Sequence, residues 1–121
     1  MLLDSNIIIA AAAPGGEKIN DWLEGHALAT SIICRIEVLG WPKLAEPQKG
    51  WLAAFFSKVH VLAMDATIAE LAIRLRQERK LGLADAIIAA TAMQHNLPLV
   101  TRNTDDFKRI AGLQLIDPLA L

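Results

Sequence analysis

Gly82-Leu83-Ala84-Asp85-Ala86-Ile87-Ile88-Ala89-Ala90-Thr91-Ala92 is the stretch on which the fold turns. Laid out at helical spacing it is apolar on every side, and a helix apolar all round is a buried helix. Its single carboxylate, Asp85, falls in the first turn. The helix dipole favours a negative charge there, but burial without partners is costly. Two readings of Asp85 stay open: an acid that satisfies free N–H groups at the helix start, or an acid that needs a neutralising partner from elsewhere in the chain.

Outward from this helix, apolar stripes alternate with short apolar runs. On its C-terminal side His95-Asn96 ends the helix, and Pro98-Leu99-Val100-Thr101 reads as a strand with a polar exit, Arg102-Asn103-Thr104-Asp105-Asp106. A short helix through Lys108 and Ile110 and a last strand over 113–116 follow. On its N-terminal side, Thr67-Ile68-Ala69-Glu70 forms a capping box. It opens an amphipathic helix with Ile68, Leu71, Ala72 and Leu75 inward and a Glu70–Arg74 pair outward. Residues 59–63 read as a strand. Before them, Pro47 can start a helix with Trp51, Leu52 and Phe55 on one face. Ser31 caps a helix to about residue 39, with Ile32, Ile33, Ile36 and Leu39 touching the core and Gly40 at its end. Residues 27–30 form a strand, and Ile19, Trp22 and Leu23 give one face to a helix that Gly25 ends. Met1-Leu2-Leu3 leads through Asp4-Ser5-Asn6 into Ile7-Ile8-Ile9, as a buried strand entering a helix or turn does. Strands alternating with helices imply a mainly parallel sheet of about five short strands, covered by helices on both faces.

The 121 residues are 54% apolar, which suits one compact domain over 1–121. Twelve Lys plus Arg against thirteen Asp plus Glu exclude a polybasic sheath, so any nucleic-acid chemistry is local and metal-assisted. The single Cys34 makes no internal disulfide and fits a reducing, cytoplasmic setting. Residues 7–13 have the apolar character of a secretory leader, but no basic residue precedes them and Asp4 stands where one belongs. No apolar run reaches the roughly 20 residues that span a bilayer.

In parallel α/β folds, ligands bind beyond the carboxyl ends of the strands, where strand order reverses. Asp4 and the segment after Thr101 belong there, and Glu37 and Asp85 lie on helices that can lean over the same end. Four such acids raise one another's pKa and favour a divalent cation, Mg²⁺ or Mn²⁺. Each also has a plainer role: Asp4 in a turn, Glu37 in solvent beside Arg35 or Lys43, Asp106 at a helix start. His26, His60 and His95 lack metal-ligand spacing, Cys34 reads as core, and residues 10–16 lack the Lys-Ser/Thr of a phosphate loop.

The ordered set Leu3-Asp4-Ser5-Asn6, Glu37 after Ser31, Leu83-Ala84-Asp85-Ala86-Ile87-Ile88-Ala89-Ala90-Thr91-Ala92 and Thr101-Arg102-Asn103-Thr104-Asp105-Asp106-Phe107 resembles the PIN-domain family, most closely its VapC-type toxins. The match runs from Leu2 to about Pro118. The resemblance implies a three-layer α/β/α domain and a metal-dependent ribonuclease that cuts RNA internally with metal-activated water. It also implies a homodimer and a cognate antitoxin. Asp4, Glu37 and Asp85 match the family's first three acids. The fourth falls on Asp106 or on the position of Asn103, with Asp105 adjacent, and Asn6 and Thr101 match supporting positions. Two rivals remain: a Mg²⁺-dependent phosphatase or receiver-like domain, with Asp65 after a third strand, and a non-catalytic module with a vestigial acid pocket. Loops over 10–16 and 41–50 are expected to frame the substrate groove.

Overall fold

The computed structural model describes residues 1–120. Five strands form one sheet: β1 (Leu2–Leu3), β2 (Ala29–Ser31), β3 (His60–Leu62), β4 (Leu99–Val100) and β5 (Leu115–Ile116), in the order β3-β2-β1-β4-β5. Every neighbouring pair is parallel, so the sheet is wholly rather than mainly so. Burial follows position. Leu2 and Leu3 of the central strand and Leu99 and Val100 beside it are inaccessible to solvent, whereas His60 on one edge is exposed. Chain order runs from β1 outward to β3 and then crosses back to β4 on the other side of β1, so the order reverses between β1 and β4. Asp4 leaves the first of these strands and Thr101 the second.

Among the described residues, seven helices flank the sheet: α1 (Ser5–Ala12), α2 (Glu17–Leu23), α3 (Ile32–Leu39), α4 (Gln48–Lys58), α5 (Ala66–Glu78), α6 (Leu83–Gln94) and α7 (Thr104–Phe107). Helices α1 to α4 pack among themselves, α5 packs on α6 and α6 on α7, and α3 meets α6. This gives the expected helical layers. Right-handed crossovers account for the division, because the connections that step from β1 to β3 and those that step back past β1 must lie on opposite faces.

Helix α6 is the buried helix the sequence announces: Ala86 to Ala92 are all buried. Its one hydroxyl, Thr91, donates to the Ile87 carbonyl at 2.7 Å, so no polar side chain within that run lacks a partner. Several local expectations are corrected. Helix α5 starts at Ala66, not after Thr67, because the Asp65 carboxylate accepts from the Ile68 N–H at 2.8 Å and caps the chain two residues earlier. Among the described residues Glu70 and Arg74 form no ion pair, as exposed pairs of that spacing gain little. Helix α3 turns Cys34 and Val38 into the core, with Ile33 and Leu39 at its margin, and leaves Ile36 58% exposed. Helix α4 buries Leu52 and Phe56, while Trp51 stacks on Phe55 at 5.5 Å towards solvent. The last helix ends at Phe107, before Lys108, and Ile110 is buried from the turn that follows.

Candidate active site

Asp4 is 5% exposed and ends β1. Its own N–H donates to the Val100 carbonyl at 2.9 Å, which ties the exits of β1 and β4 together. As the N-cap of α1, Asp4 accepts the Ser5 N–H on Oδ1 at 2.7 Å, and Thr101 Oγ1 donates to Oδ2 at 2.8 Å. The Thr101 hydroxyl, fully buried, also accepts from Asn6 Nδ2 at 3.2 Å and from the Asn103 N–H at 3.0 Å. A hydroxyl offers one donor and two acceptor sites, and all three are used. Asn6 completes the knot by accepting the Arg102 N–H on Oδ1 at 3.2 Å, which fixes its amide so that Nδ2 faces Thr101 and, at 3.4 Å, Asp4. Asn6 and Thr101 therefore orient Asp4. Asn103 contributes only its backbone N–H, and its side chain forms no capping bond at the start of α7.

Glu37 is exposed on α3, yet it pairs with neither Arg35 nor Lys43. Its Oε1 accepts from Ser5 Oγ at 2.9 Å, which draws the carboxylate toward the β1–α1 corner. Ser5 has no role of its own in the sequence reading. Its place directly after the capping Asp was the available signal, since a hydroxyl there projects beside the carboxylate it follows.

Asp85, half-buried in the first turn of α6, accepts no hydrogen bond among the described residues. It does not cap its helix, and Gly82 supplies no side-chain cap either. Burial pushes its carboxyl up to about 6, and the negative fields of Asp4, Asp106 and Glu37 add to the rise. Asp4 is likewise raised, by burial first; the Thr101 and Ser5 hydrogen bonds oppose the rise, and Glu37 and Asp106 reinforce it. Asp4 and Asp85 thus both sense the charges of Glu37 and Asp106, which come from two other helices. Asp105 lies beside them, but its side chain is mostly exposed and pairs with Lys108 at 3.1 Å.

Among the described residues, no three His, Cys, Asp or Glu side chains stand close enough to ligate one ion together. An open, all-oxygen set still fits a hard cation such as Mg²⁺, which keeps several waters and takes one or two carboxylates plus substrate phosphates. The bare Asp85 carboxylate, without a protein donor, is the position such a cation would neutralise.

Cys34 is core, as its surroundings implied. Its thiol reaches the Leu3 carbonyl at 3.7 Å, beside the Thr30 hydroxyl at 2.9 Å on the same oxygen, and burial pushes it up to about 11. Asp65 is committed to capping α5, which leaves a receiver-like reading without an acceptor. The three Trp residues have different neighbours. Trp22 stacks on His26 and Trp51 on Phe55, while Trp41 lines an apolar groove of about 350 Å³ with Ile9, Val38 and Leu52, rimmed by Glu37. The sequence missed a second cavity, of about 490 Å³, that runs from Asp85 and Asp106 to Arg79, Lys80, Lys108 and Arg109. Two adjacent basic pairs, one just ahead of α6 and one just after α7, were its trace in the sequence.

A parallel sheet with strand order 3-2-1-4-5 and acids gathered over its central crossover defines a class, and the comparisons give it a name. The chain belongs to the PIN domain family, whose model matches residues 1–113. Ribonuclease VapC10 of Mycobacterium tuberculosis is 30% identical over 121 residues, covering 94% of this chain and 90% of that protein. The tRNA(fMet)-specific endonuclease VapC of Shigella flexneri is 28% identical, with 96% of each chain covered. Among solved structures, a toxin–antitoxin complex from Klebsiella pneumoniae is 37% identical with a TM-score of 0.79, covering 97% of this chain and 96% of that one. VapC nucleases with this domain are generally metal-dependent.

Proposed function

We propose that the chain is a Mg²⁺- or Mn²⁺-dependent endoribonuclease, the toxin of a type II toxin–antitoxin pair, with the cation held at the cluster of Asp4, Glu37, Asp85 and Asp106, by one or two of these acids directly and by the others through its waters. One observation carries the site: Asp85 is a carboxylate without a protein donor, raised by burial and by three other acids. Relatives named as a ribonuclease and an endonuclease, and a similar chain solved as a toxin–antitoxin complex, support the activity and the partner. Residues 1–121 act as one domain, in the cytoplasm, as a homodimer. No helix of the described residues is long and apolar enough to cross a membrane.

A cation held at these acids would supply positive charge to phosphate oxygens and acidity to water. The chain supplies geometry. Thr101 and the Ser5 N–H hold both oxygens of Asp4, Ser5 Oγ holds one oxygen of Glu37, and Asn6 locks the exits of β1 and β4 at a fixed separation. Asp85 and Asp106 bring charge without such restraint. The apolar groove beside Glu37 fits an amphipathic antitoxin segment, and a cationic side chain at its end would pair with the acids and compete with the metal.

Incubation of the chain with an RNA panel and with small phosphate esters, in Mg²⁺, Mn²⁺ or EDTA, tests the proposal. Internal RNA cleavage in either metal and none in EDTA is expected. Release of inorganic phosphate from the esters would indicate a phosphatase, and no reaction in any metal a vestigial pocket.

A further inference from the structure

The acidic cluster lies between two cavities of opposite character. Beside Glu37 is the apolar groove; beyond Asp85 and Asp106 is the cleft walled by the α5–α6 turn and the end of α7. Four cations line that cleft, Arg79 and Lys80 on one wall and Lys108 and Arg109 on the other, and Asp105 joins Asp85 and Asp106 as its acids. The turn is held firmly. Arg76 Nε donates to the Leu81 carbonyl at 3.1 Å, and Leu81, 8% exposed, anchors it in the core. Arg79 is tethered to the Leu75 carbonyl and to Glu78, whereas Lys80 and Arg109 form no ion pair among the described residues. Lys108 pairs only with the exposed Asp105, an interaction that solvent weakens.

We infer that this cleft is the track for the RNA strand beside the cleavage point, with Lys80 and Arg109, aided by Lys108 and Arg79, binding backbone phosphates. The inference rests on the ribonuclease reading and adds where the substrate lies. Acids alone repel a polyanion, so substrate must be held by cations placed just outside them, and here they stand on both walls of a cavity that opens onto Asp85 and Asp106. The only large apolar side chain on the walls is Leu81, which offers nothing to a peptide helix. A backbone bearing one charge per nucleotide needs only charge. Lys80 and Arg109 are positioning residues: they set where the strand lies and take no part in bond breaking.

The test is the salt dependence of RNA cleavage by wild type, by Lys80→Ala/Arg109→Ala, and by Lys18→Ala/Lys58→Ala, which loses the same charge on α2 and α4. Magnesium is fixed and NaCl varied. For the cleft variant we expect KM to rise about tenfold with kcat unchanged. The slope of log(kcat/KM) against log[NaCl] should become shallower by about 1.4, roughly 0.7 for each phosphate no longer neutralised. The α2/α4 variant should behave as wild type. Unchanged KM and slope in the cleft variant overturn the inference and leave the ribonuclease reading standing, and so does a fall in kcat at constant KM. A cleft variant that cleaves normally but escapes inhibition by the antitoxin also overturns it, since the cleft would then take an acidic protein segment. No cleavage by wild type overturns both readings.

Discussion

Asp4 is a buried acid and Asp85 a half-buried one, and the chain treats them differently. Asp4 is held by donors on both oxygens, so Asp4→Asn removes charge and also misplaces an acceptor of Thr101. We expect it to abolish cleavage and to cost about 1 kcal/mol of stability, the typical scale of one missing buried hydrogen bond. Asp85 has no donors to lose. Folded Asp85 keeps its proton up to about pH 6, whereas the ordinary Asp value is 3.8, so folding takes up a proton between those values. The stability of the metal-free protein therefore falls as pH rises through that window, and Asn at 85 escapes the fall. In EDTA at pH 7.5 Asp85→Asn should be more stable than wild type by about 1 kcal/mol, after discounting for partial solvation, with the difference gone near pH 4. Thermal melts across pH check both variants; a stabilisation that does not vary with pH would contradict the assignment. For the fourth acid, Asp106→Ala should lose far more activity than Asp105→Ala, because Asp106 acts on Asp4 and Asp85 while Asp105 is turned to Lys108.

The helix and strand order was legible because apolar runs and stripes of different period alternate along the chain, and α6 could only be a buried helix. Details failed where two residues compete for one job. Asp65 and Thr67 are both capping residues, and the carboxylate two positions earlier wins. Ile36 reads as core by composition, but Cys34 and Val38 lie one turn apart on the side that meets the sheet. In the site, the acids were visible as residue types. The bonds from Ser5 to Glu37 and from Asn6 to Arg102 were not, since they depend on how strand ends distant in sequence lie side by side. The α1–α2 junction carries a prediction of its own. A Cβ on Gly16 would stand 2.5 Å from the carbonyl oxygens of Ala10 and Ala11, backbone atoms that cannot swing aside. Gly16→Ala should destabilise by at least about 2 kcal/mol in a denaturant titration, on the scale of overpacking a closed site; a variant as stable as wild type would mean that this junction opens without cost.

For the whole molecule, the apolar surplus of a small chain calls for covering surfaces. Trp41 beside the groove, Met64 ahead of α5 and Ile73 on it are exposed, so more than one apolar region faces outward. We propose that one of them takes an antitoxin and another a second copy. Light scattering at micromolar concentration should report a dimer, and a monomer would contradict this division. With RNA in the cationic cleft and an antitoxin in the apolar groove, as proposed, substrate and inhibitor would approach the same carboxylates from opposite sides. All of it depends on the acids holding a cation that cuts RNA. The most direct measurement titrates Mn²⁺ into wild type and Asp85→Asn at pH 7.5 while following cleavage of one RNA in the same samples. Wild type should bind Mn²⁺ and cleave in proportion to occupancy, and folded Asp85→Asn should do neither. Cleavage at wild-type rate by Asp85→Asn, or by wild type with Mn²⁺ fully chelated, would contradict the account.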